Sequence, residues 1–477
     1  WALRRLCSDW ENQAMFKRIL IANRGEIAMR IIRCCREMEI ETVAVYSTAD
    51  REALHVQFAT QAVCIGPAKA GDSYLNINNI LSAALAAGCD AIHPGFGFLS
   101  ENSGFARLCE RSGITFIGPR PEVIERMGNK AEAIRLAREA GVPVVPGSGG
   151  PVASAEEARE VGRRIGYPLL VKASAGGGGR GMRMVRFPEE LTEAFLAARA
   201  EAKACFGDEE MYLEKLIENP KHIEFQILGD QQGRIIHLGE RDCSVQRRNQ
   251  KLIEEAPSKA LDSQLRQEMG EAAVAVARAA GYTGAGTVEF VLGQDGQFYF
   301  IEMNTRIQVE HPVTEMLTGV DLVREQIRVA AGLPLSLTQD EARPRGHAIE
   351  CRINAENPAA GFLPSSGRIG FLHLPGGCGL RVDTALYPGY ETSPYYDSMV
   401  AKIIVWAPGR LEAIRRARRA LEELIIEGIQ TSADLAHLIL YHPEFLKGTY
   451  TTAFLEEHLE ELLLWEKEAA KAGEEAE

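Results

Sequence analysis

In the stretch YPLLVKASAGGGGRGMRMV (Tyr167–Val185), Lys172 stands ahead of four consecutive glycines, Gly176 to Gly179, which Arg180 and Gly181 follow. A fixed positive charge beside a backbone without side chains suits phosphate. Glycine N–H groups approach its oxygens closely, and a flap over them excludes water. Two familiar phosphate loops do not fit. Gly176, Gly178 and Gly181 match G-x-G-x-x-G, but the strand-like MRMVRF follows, where a dinucleotide loop opens onto a helix. The G-x-x-x-x-G-K-[ST] loop fails because Lys172 precedes the glycines. What remains is strand, glycine flap, strand, a lid with Lys172 at the end of its first strand. A plain hairpin turn needs only one or two glycines.

A second chemical signal lies in GTVEFVLGQDGQFYFIEMNTRIQVEHP. Two strand patterns flank Asp295-Gly296, a two-residue hairpin signal. A turn centred there sets 294 against 297, 291 against 300 and 289 against 302, so Glu289 faces Glu302 on the side that also carries Asn304. Opposed carboxylates ~5 Å apart destabilise a sheet unless something neutralises them. Magnesium does so while bridging to substrate phosphates; the alternative is a Glu that is exposed or paired with an arginine such as Arg306. The segment ERDCSVQRRNQK gathers Arg241, Arg247, Arg248 and Lys251, which alone reads more readily as a solvated basic face. Arg352 alternates with Glu350 and Asn354 in ECRINAE, and His222 precedes IEFQIL. Each fits a satisfied surface residue as well as a ligand contact.

These residues need a scaffold, and 477 residues at ~150 per domain suggest about three domains. From Phe16, strand RILIA, helix EIAMRIIRCCREM, strand ETVAVYS, helix NINNILSAALAAG, strand CDAIHPG and then GITFIGP form an α/β unit with a parallel sheet. Its turn ANRGEIA lacks the dinucleotide fingerprint, so the order is Rossmann-like without that ligand. GPRPEV punctuates the chain near residue 120, and a second region to about 340 holds the glycine flap. A third begins near Arg343 with HAIECRINAE and ends in helices after Leu411. The closing EKEAAKAGEEAE reads as a solvated or frayed tail.

Fifty-three basic and 66 acidic residues give a net charge of −13, which leaves no global footprint for nucleic acid or an anionic membrane. An anionic ligand must be held locally. The ten cysteines show no C-x-x-C spacing and read as buried thiols of a reducing compartment. No apolar run reaches the ~18 residues of a membrane span. The opening WALRRLCSDWENQA suits neither a signal nor a transit peptide, and Met15 reads as the natural start.

Taken together, KRILIANRGEIAMRIIR, AIHPGFGFLSEN, MGNK, VKASAGGGGRGMR, ERDCSVQRRNQK, FIEMNTRIQVEHPVTE, ECRINAE and PYYDSM resemble biotin carboxylase, the ATP-grasp component of biotin-dependent carboxylases. The resemblance runs from about Phe16 to Leu459. It implies an α/β fold of three-domain ATP-grasp architecture: a Rossmann-like domain at 15–125, an ATP-grasp domain at 126–340 with a glycine-rich lid at about 143–215, and a C-terminal domain at 341–460. An extension at 1–14 and a charged tail at 461–477 flank them. The implied reaction carboxylates N1 of biotin with bicarbonate and MgATP, or MnATP, through carboxyphosphate, giving ADP and phosphate.

The resemblance also assigns residues. Lys130, Lys172, Gly177, Gly178 and Gly179 fall to the ATP phosphates, Glu214, Lys215 and Ile217 to adenine, and His222, Gln246 and Asn249 to the ribose or phosphates. Glu289, Glu302 and Asn304 are the implied magnesium ligands. Bicarbonate falls to Lys251, Arg306, Gln308, Val309 and Glu310, and biotin to Phe96 and Arg352. Glu310, Arg352, Lys251 and Arg306 are the expected catalytic set. Glu310 takes the bicarbonate proton, an arginine fork suits the planar anion, and Arg352 stabilises the biotin enolate while phosphate serves as its base. Carboxyphosphate hydrolyses readily, which gives a water-excluding lid a purpose.

Two residues depart from the family pattern. Asn249 stands where His is typical, and its amide carries no positive charge; Phe96 stands where Tyr is common. Biotin is expected as a substrate on a separate carboxyl carrier protein, because no Met-Lys dipeptide occurs among the 11 methionines and little chain follows the C-terminal helices. Carboxyltransferase partners, a homodimer, a cytoplasmic location and a place in fatty acid biosynthesis belong to the same expectation. Two other readings compete. RIQVEHP and QRRNQK stand against a different ATP-grasp ligase, and a catalytically silent scaffold subunit has only Asn249 in its favour.

Overall fold

The structure, a computed structural model, describes residues 15–173, 182–206 and 209–474. The extension 1–14 and the flap residues Gly177, Gly178 and Gly179 lie outside the described residues. Two compact units divide the chain: Trp1–Gly141 with Lys221–Phe290 and Glu302–Glu477, and Val142–Pro220 with Val291–Ile301.

In the larger unit, the strand Arg18–Ile21 is apolar on both faces and is covered on both. Ile19 and Ile21 join one core with Ile27 and Ile31 of the helix Gly25–Glu37, while Leu20 joins another with Val43 and Ile92. The parallel sheet runs Gln61–Gly66, Glu41–Ser47, Arg18–Ile21, Ala91–His93, Thr115–Phe116. Its edge strand Gln61–Gly66 is not among the elements expected from the sequence. It carries an apolar run at residues 62–65, but as an edge strand only Ile65 of it is buried.

An eight-stranded sheet follows the order Phe298–Asn304, Gly284–Leu292, Lys221–Gly229, Ile235–Arg247, Gln250–Ala256, His347–Asn354, Met399–Ala407, Leu380–Thr384. Register sets Glu254 opposite Glu350, Arg352 opposite Lys402, and Lys402 opposite Asp383. Period-two alternation therefore gives these strands a charged face and an apolar one. Ile349, Cys351, Ile353, Ile403 and Val405 enter a core with residues of the helices Arg410–Glu423 and Ala433–Ile439. The charged face is buried under the helices Gly25–Glu37 and His311–Thr318.

Two turns differ instructively. Arg247 pairs with Gln250 across Arg248 (φ +49°) and Asn249 (φ +65°), a two-residue turn with both central residues left-handed. Asn adopts that conformation at little cost, so Asn249 fits its place. The Asp295-Gly296 hairpin is longer than the sequence suggests. Gly293 N–H donates to the Gln297 carbonyl at 2.8 Å and Gly296 N–H to the Gly293 carbonyl at 3.0 Å. Only Gly296 of the loop has positive φ (+78°), which makes a three-residue loop closed by a left-handed glycine. Gly293 rather than Gln294 faces Gln297, so the opposition of Glu289 and Glu302 no longer follows from turn length.

The C-terminal stretch expected to fray is helical through Glu474, within the helix Phe454–Glu474, as its Ala, Glu and Lys content favours. In the smaller unit, Met182–Val185, Leu169–Ala173 and Met211–Lys215 form an antiparallel sheet, with Lys172 opposite Met182 and Tyr212. Leu169, Val171 and Ala173 face a core shared with the helices Ala155–Ile165 and Leu191–Phe206. The strands Leu169–Ala173 and Met182–Val185 thus stand on either side of the glycine segment, with Lys172 next to the last residue of the first strand.

Burial in the larger unit holds the His55 imidazole down to about 4 and His93 to about 3, both below their ordinary value near 6.5. Groups whose folded pKa is depressed lose stability as pH falls from the unfolded value through the folded one. Denaturant midpoints should therefore drop between pH ~6.5 and ~4, with His55 contributing up to about 3 kcal/mol. His55→Gln, which takes up no proton there, should flatten that slope; an unchanged slope would show that the loss arises elsewhere.

Candidate active site

The strands Lys221–Gly229, Ile235–Arg247 and Gln250–Ala256 lie side by side and bring Glu224, Arg241 and Lys251 inward. Lys251 Nζ lies 2.6 Å from Glu224 Oε2, 2.6 Å from Glu310 Oε1 and 3.3 Å from Glu289 Oε1. Arg241, fully buried, donates to Glu224 at 2.6 Å, Gln226 at 2.8 Å, Thr314 at 2.9 Å and Thr287 at 3.1 Å. Arg352 reaches from the strand His347–Asn354 to Glu254 at 2.6 Å and to Glu310 Oε2 at 2.9 Å. Glu310 thus lies between an ammonium and a guanidinium with no solvent exposure.

Beside it, Arg306 donates to Glu101 at 2.9 Å, Gln308 Oε1 at 2.9 Å and Asn304 Oδ1 at 3.0 Å. Glu289 accepts from Asn304 at 2.8 Å and Gln308 at 3.2 Å, and meets His222 Nε2 at 2.9 Å. Glu310, Lys251, Arg352, Arg306, Gln308, Glu289, Asn304 and His222 therefore form one connected network.

Electrostatics decide the protonation states. Burial alone would push the Glu310 carboxyl up, but Lys251, Arg352 and Arg241 outweigh it and hold the group well below the carboxylate range. Glu289 is likewise held low against burial by Lys251 and His222. Burial also opposes the charge on Lys251 and on His222. Glu224, Glu289 and Glu310 nevertheless raise Lys251 well above its usual value, and Glu289 raises His222. Glu254 behaves differently: burial pushes it up to about 7, with Arg352 pulling down and Glu310 adding repulsion. Its neighbour across the sheet, Glu350, is likewise pushed well above its ordinary value by burial.

The remaining expected residues are not part of this network. Val309, half-buried, offers its carbonyl to Lys402 Nζ at 2.8 Å, and Gln246 is buried opposite Lys251. Lys130 is exposed, its Nζ 3.6 Å from Glu302, which is 37 % exposed and has no pair as tight as those of Glu289. Phe96 is half-buried, its ring 6.0 Å from Lys402, the residue opposite Arg352. Asn249 is exposed at the turn. Within the smaller unit, Lys172 is ion-paired with Glu214, Lys215 Nζ donates to the Tyr167 carbonyl at 2.5 Å, and Ile217 lies just past the strand. An all-oxygen set of Glu289, Glu302 and Asn304 has the hard-donor chemistry that magnesium prefers.

Sequence reasoning missed Glu224, Arg241 as the partner of Glu224, Glu254 as the anchor of Arg352, Glu101 as that of Arg306, and Lys402. A signal existed for the first: Glu224 and Gln226 interrupt an otherwise apolar strand at alternate positions. Buried polar residues at strand period mark a functional face.

Three family models match in chain order. They are "Biotin carboxylase, N-terminal domain" over residues 15–124, "Carbamoyl-phosphate synthase L chain, ATP binding domain" over 129–338 and "Biotin carboxylase C-terminal domain" over 350–457. The biotin carboxylase of Nostoc sp. is 59 % identical over 442 residues, covering 93 % of this chain and 99 % of that protein. The biotin carboxylase domain dimer of Hydrogenobacter thermophilus 2-oxoglutarate carboxylase, solved with MgADP, ADP and bicarbonate, superimposes with a TM-score of 0.85. It is 54 % identical, over 93 % of this chain and 98 % of that one. The Campylobacter jejuni biotin carboxylase-beta-gamma-ATP complex gives 0.87 at 48 % identity, covering 94 % and 100 %. Fold and site together define a three-domain ATP-grasp ligase. The chain belongs to the biotin carboxylase family, enzymes that use MgATP and bicarbonate to carboxylate biotin.

Glu224 serves two buried cations. Glu224→Gln should cost about 3–5 kcal/mol, the usual consequence of removing one partner from a buried ion pair. Urea denaturation measures it, and a loss within the range of a surface substitution would mean that Lys251 and Arg241 are satisfied without it.

Proposed function

We propose that Glu310, set between Lys251 and Arg352, is the base that deprotonates bicarbonate in this chain. The three-group chain Lys251–Glu310–Arg352 beside Arg306 and Gln308 is the observation that carries the reading. In the free site Lys251 and Arg352 keep Glu310 ionised but weakly basic. Bicarbonate brings its own negative charge and competes for the same two cations, so Glu310 becomes more basic as the anion binds. The proton acceptor is thus activated by its substrate.

Arg306, steadied by Glu101 and Gln308, orients the planar anion through its fork. The proton passes to a Glu310 oxygen, and the bicarbonate oxygen attacks the γ-phosphate of ATP, releasing ADP and forming carboxyphosphate. That intermediate breaks into CO₂ and phosphate; phosphate takes the N1 proton of biotin, Arg352 steadies the enolate, and N1 adds to CO₂. Glu289, Glu302 and Asn304 would hold magnesium, which would supply charge neutralisation at the phosphates. Lys130, Lys172, Glu214, Lys215, Ile217, His222, Gln246 and Asn249 keep the ATP roles the resemblance gives them. The three-domain division at 15–125, 126–340 and 341–460 is part of the same proposal.

Biotin arrives on a separate carrier protein, and carboxyltransferase subunits, a homodimer and a cytoplasmic site of action complete the proposal. The dimeric H. thermophilus domain supports the dimer. No described helix is long and apolar enough to cross a membrane. Relatives named for 2-oxoglutarate and pyruvate carboxylases match at 54 % and 53 % identity, alongside biotin carboxylases at 54–59 %. That spread supports placing acceptor choice outside this chain.

Glu310→Gln should keep nucleotide affinity and lose bicarbonate-dependent ADP release by ~10²-fold or more. Lost ATP affinity instead would move Glu310 to the nucleotide or metal. Glu302→Gln, at a partly exposed position, should sharply reduce ATP turnover with little change in thermal stability. Normal turnover with unaltered magnesium dependence would remove Glu302 from the metal set.

A further inference from the structure

The loop Gln308–Val309–Glu310 leads into the helix His311–Thr318, and two fully buried side chains pin its carbonyls. His311 Nδ1 lies 2.8 Å from the Gln308 carbonyl, and the Lys402 ammonium donates to the Val309 carbonyl at 2.8 Å. Lys402 is 0 % exposed, its charge met by Glu26 at 3.0 Å and Asp383 at 4.0 Å. Burying an ammonium is expensive, and a chain that needed only a filler there would use an apolar residue of similar volume.

What Lys402 adds is a donor on a particular peptide unit. The Val309 carbonyl shares its peptide plane with the Glu310 N–H, so holding that oxygen fixes the direction in which Glu310 leaves the loop. Lys402 also stands opposite Arg352 in the sheet register. One side chain therefore ties the loop bearing Glu310 to the strand paired beside the one bearing Arg352, and Glu310 and Arg352 meet at 2.9 Å.

We propose that Lys402 is a positioning residue for the bicarbonate step, holding the Val309–Glu310 peptide so that the Glu310 carboxylate stays registered with Arg352 and Lys251. The proposal rests on the reading of Gln308, Val309 and Glu310 as the bicarbonate loop. Lys402 touches no reacting atom in it.

Lys402→Met alone would strand Glu26 and Asp383, so the informative variant is the pair Lys402→Met/Glu26→Gln. Burial already pushes the Glu26 carboxyl toward its neutral form, and Glu26→Gln alone, which keeps the Lys402–Val309 bond, is the control. Relative to that control, the pair should lose about tenfold or more in kcat/KM for bicarbonate, while KM for ATP moves by less than about twofold. Equal bicarbonate kinetics in pair and control would overturn the proposal. Should the pair not fold, Lys402→Arg keeps the charge and displaces the donor, with the same selective loss expected and wild-type bicarbonate kinetics overturning it. Gln308→Ala tests the underlying reading separately. An unchanged bicarbonate KM there refutes the bicarbonate loop itself, whereas a raised KM beside an unaffected pair refutes only the role of Lys402.

Discussion

Three carboxylates converge on one buried ammonium, and the rest of the larger unit is arranged so that this is tolerable. Lys251 has little water to solvate it, and neither do Glu224 and Glu310. Lys251 and Glu310 each hold the other ionised, and Arg241 and Arg352 extend the same compensation outward. Removing any one charge leaves a neighbour uncompensated at low dielectric, where such a defect is costly. The gain is preorganisation. On the proposed bicarbonate role, the groups that would meet the anion already stand in place, so binding would exchange one set of charge pairs for another with little rearrangement.

A sheet with unlike faces makes the arrangement affordable to the fold. In the strands His347–Asn354 and Met399–Ala407, Ile349, Cys351, Ile353, Ile403 and Val405 bury one face against helices. Glu350, Arg352 and Lys402 fill the other. The apolar face anchors the strands, and period-two alternation then delivers charges to the opposite side at fixed spacing. Helix Gly25–Glu37 contributes Glu26 and Arg30 to the covering layer, where Arg30 meets Glu315 at 2.8 Å and Arg381 meets Glu315 at 2.6 Å. The N-terminal α/β part is thus bound to the site's floor by buried ion pairs as well as apolar contacts.

Much of this was legible in the sequence, and the failures share a cause. The parallel N-terminal sheet apart from its edge strand Gln61–Gly66, and the strands on either side of the glycines, follow from local pattern, because alternation and glycine runs stand out along a few residues. Lys251 and Arg352 read locally as solvated cations and gain their roles only from the family resemblance. Glu101, Glu254 and Lys402 do not stand out. Their meaning lies in partners far away in sequence, such as Arg306 for Glu101 and Val309 for Lys402. Asp-Gly misled for a different reason: the dipeptide suits a two-residue turn with both centres left-handed and equally a three-residue loop that needs only its glycine so. The positive φ at Gly296 but not at Asp295 separates the two, and sequence does not.

Asn249 shows how a departure from pattern is weighed. As a missing imidazolium it is the sole argument for a chain that has lost its chemistry. As a backbone element it stands at φ +65° beside Arg248 at φ +49°, in a turn that joins the strand of Arg241 to the strand of Lys251. There asparagine is among the few side chains that accept the left-handed conformation without strain. The residue therefore secures the hairpin that sets Lys251 opposite Gln246, and Lys251 in turn holds Glu310 and Glu289. A degenerate scaffold has no reason to retain buried, mutually dependent charges such as Lys251, Glu310 and Glu289, which stabilise a fold less than apolar residues of the same volume would. Their presence beneath a well-formed turn fits a working enzyme, and the amide at this position serves the turn.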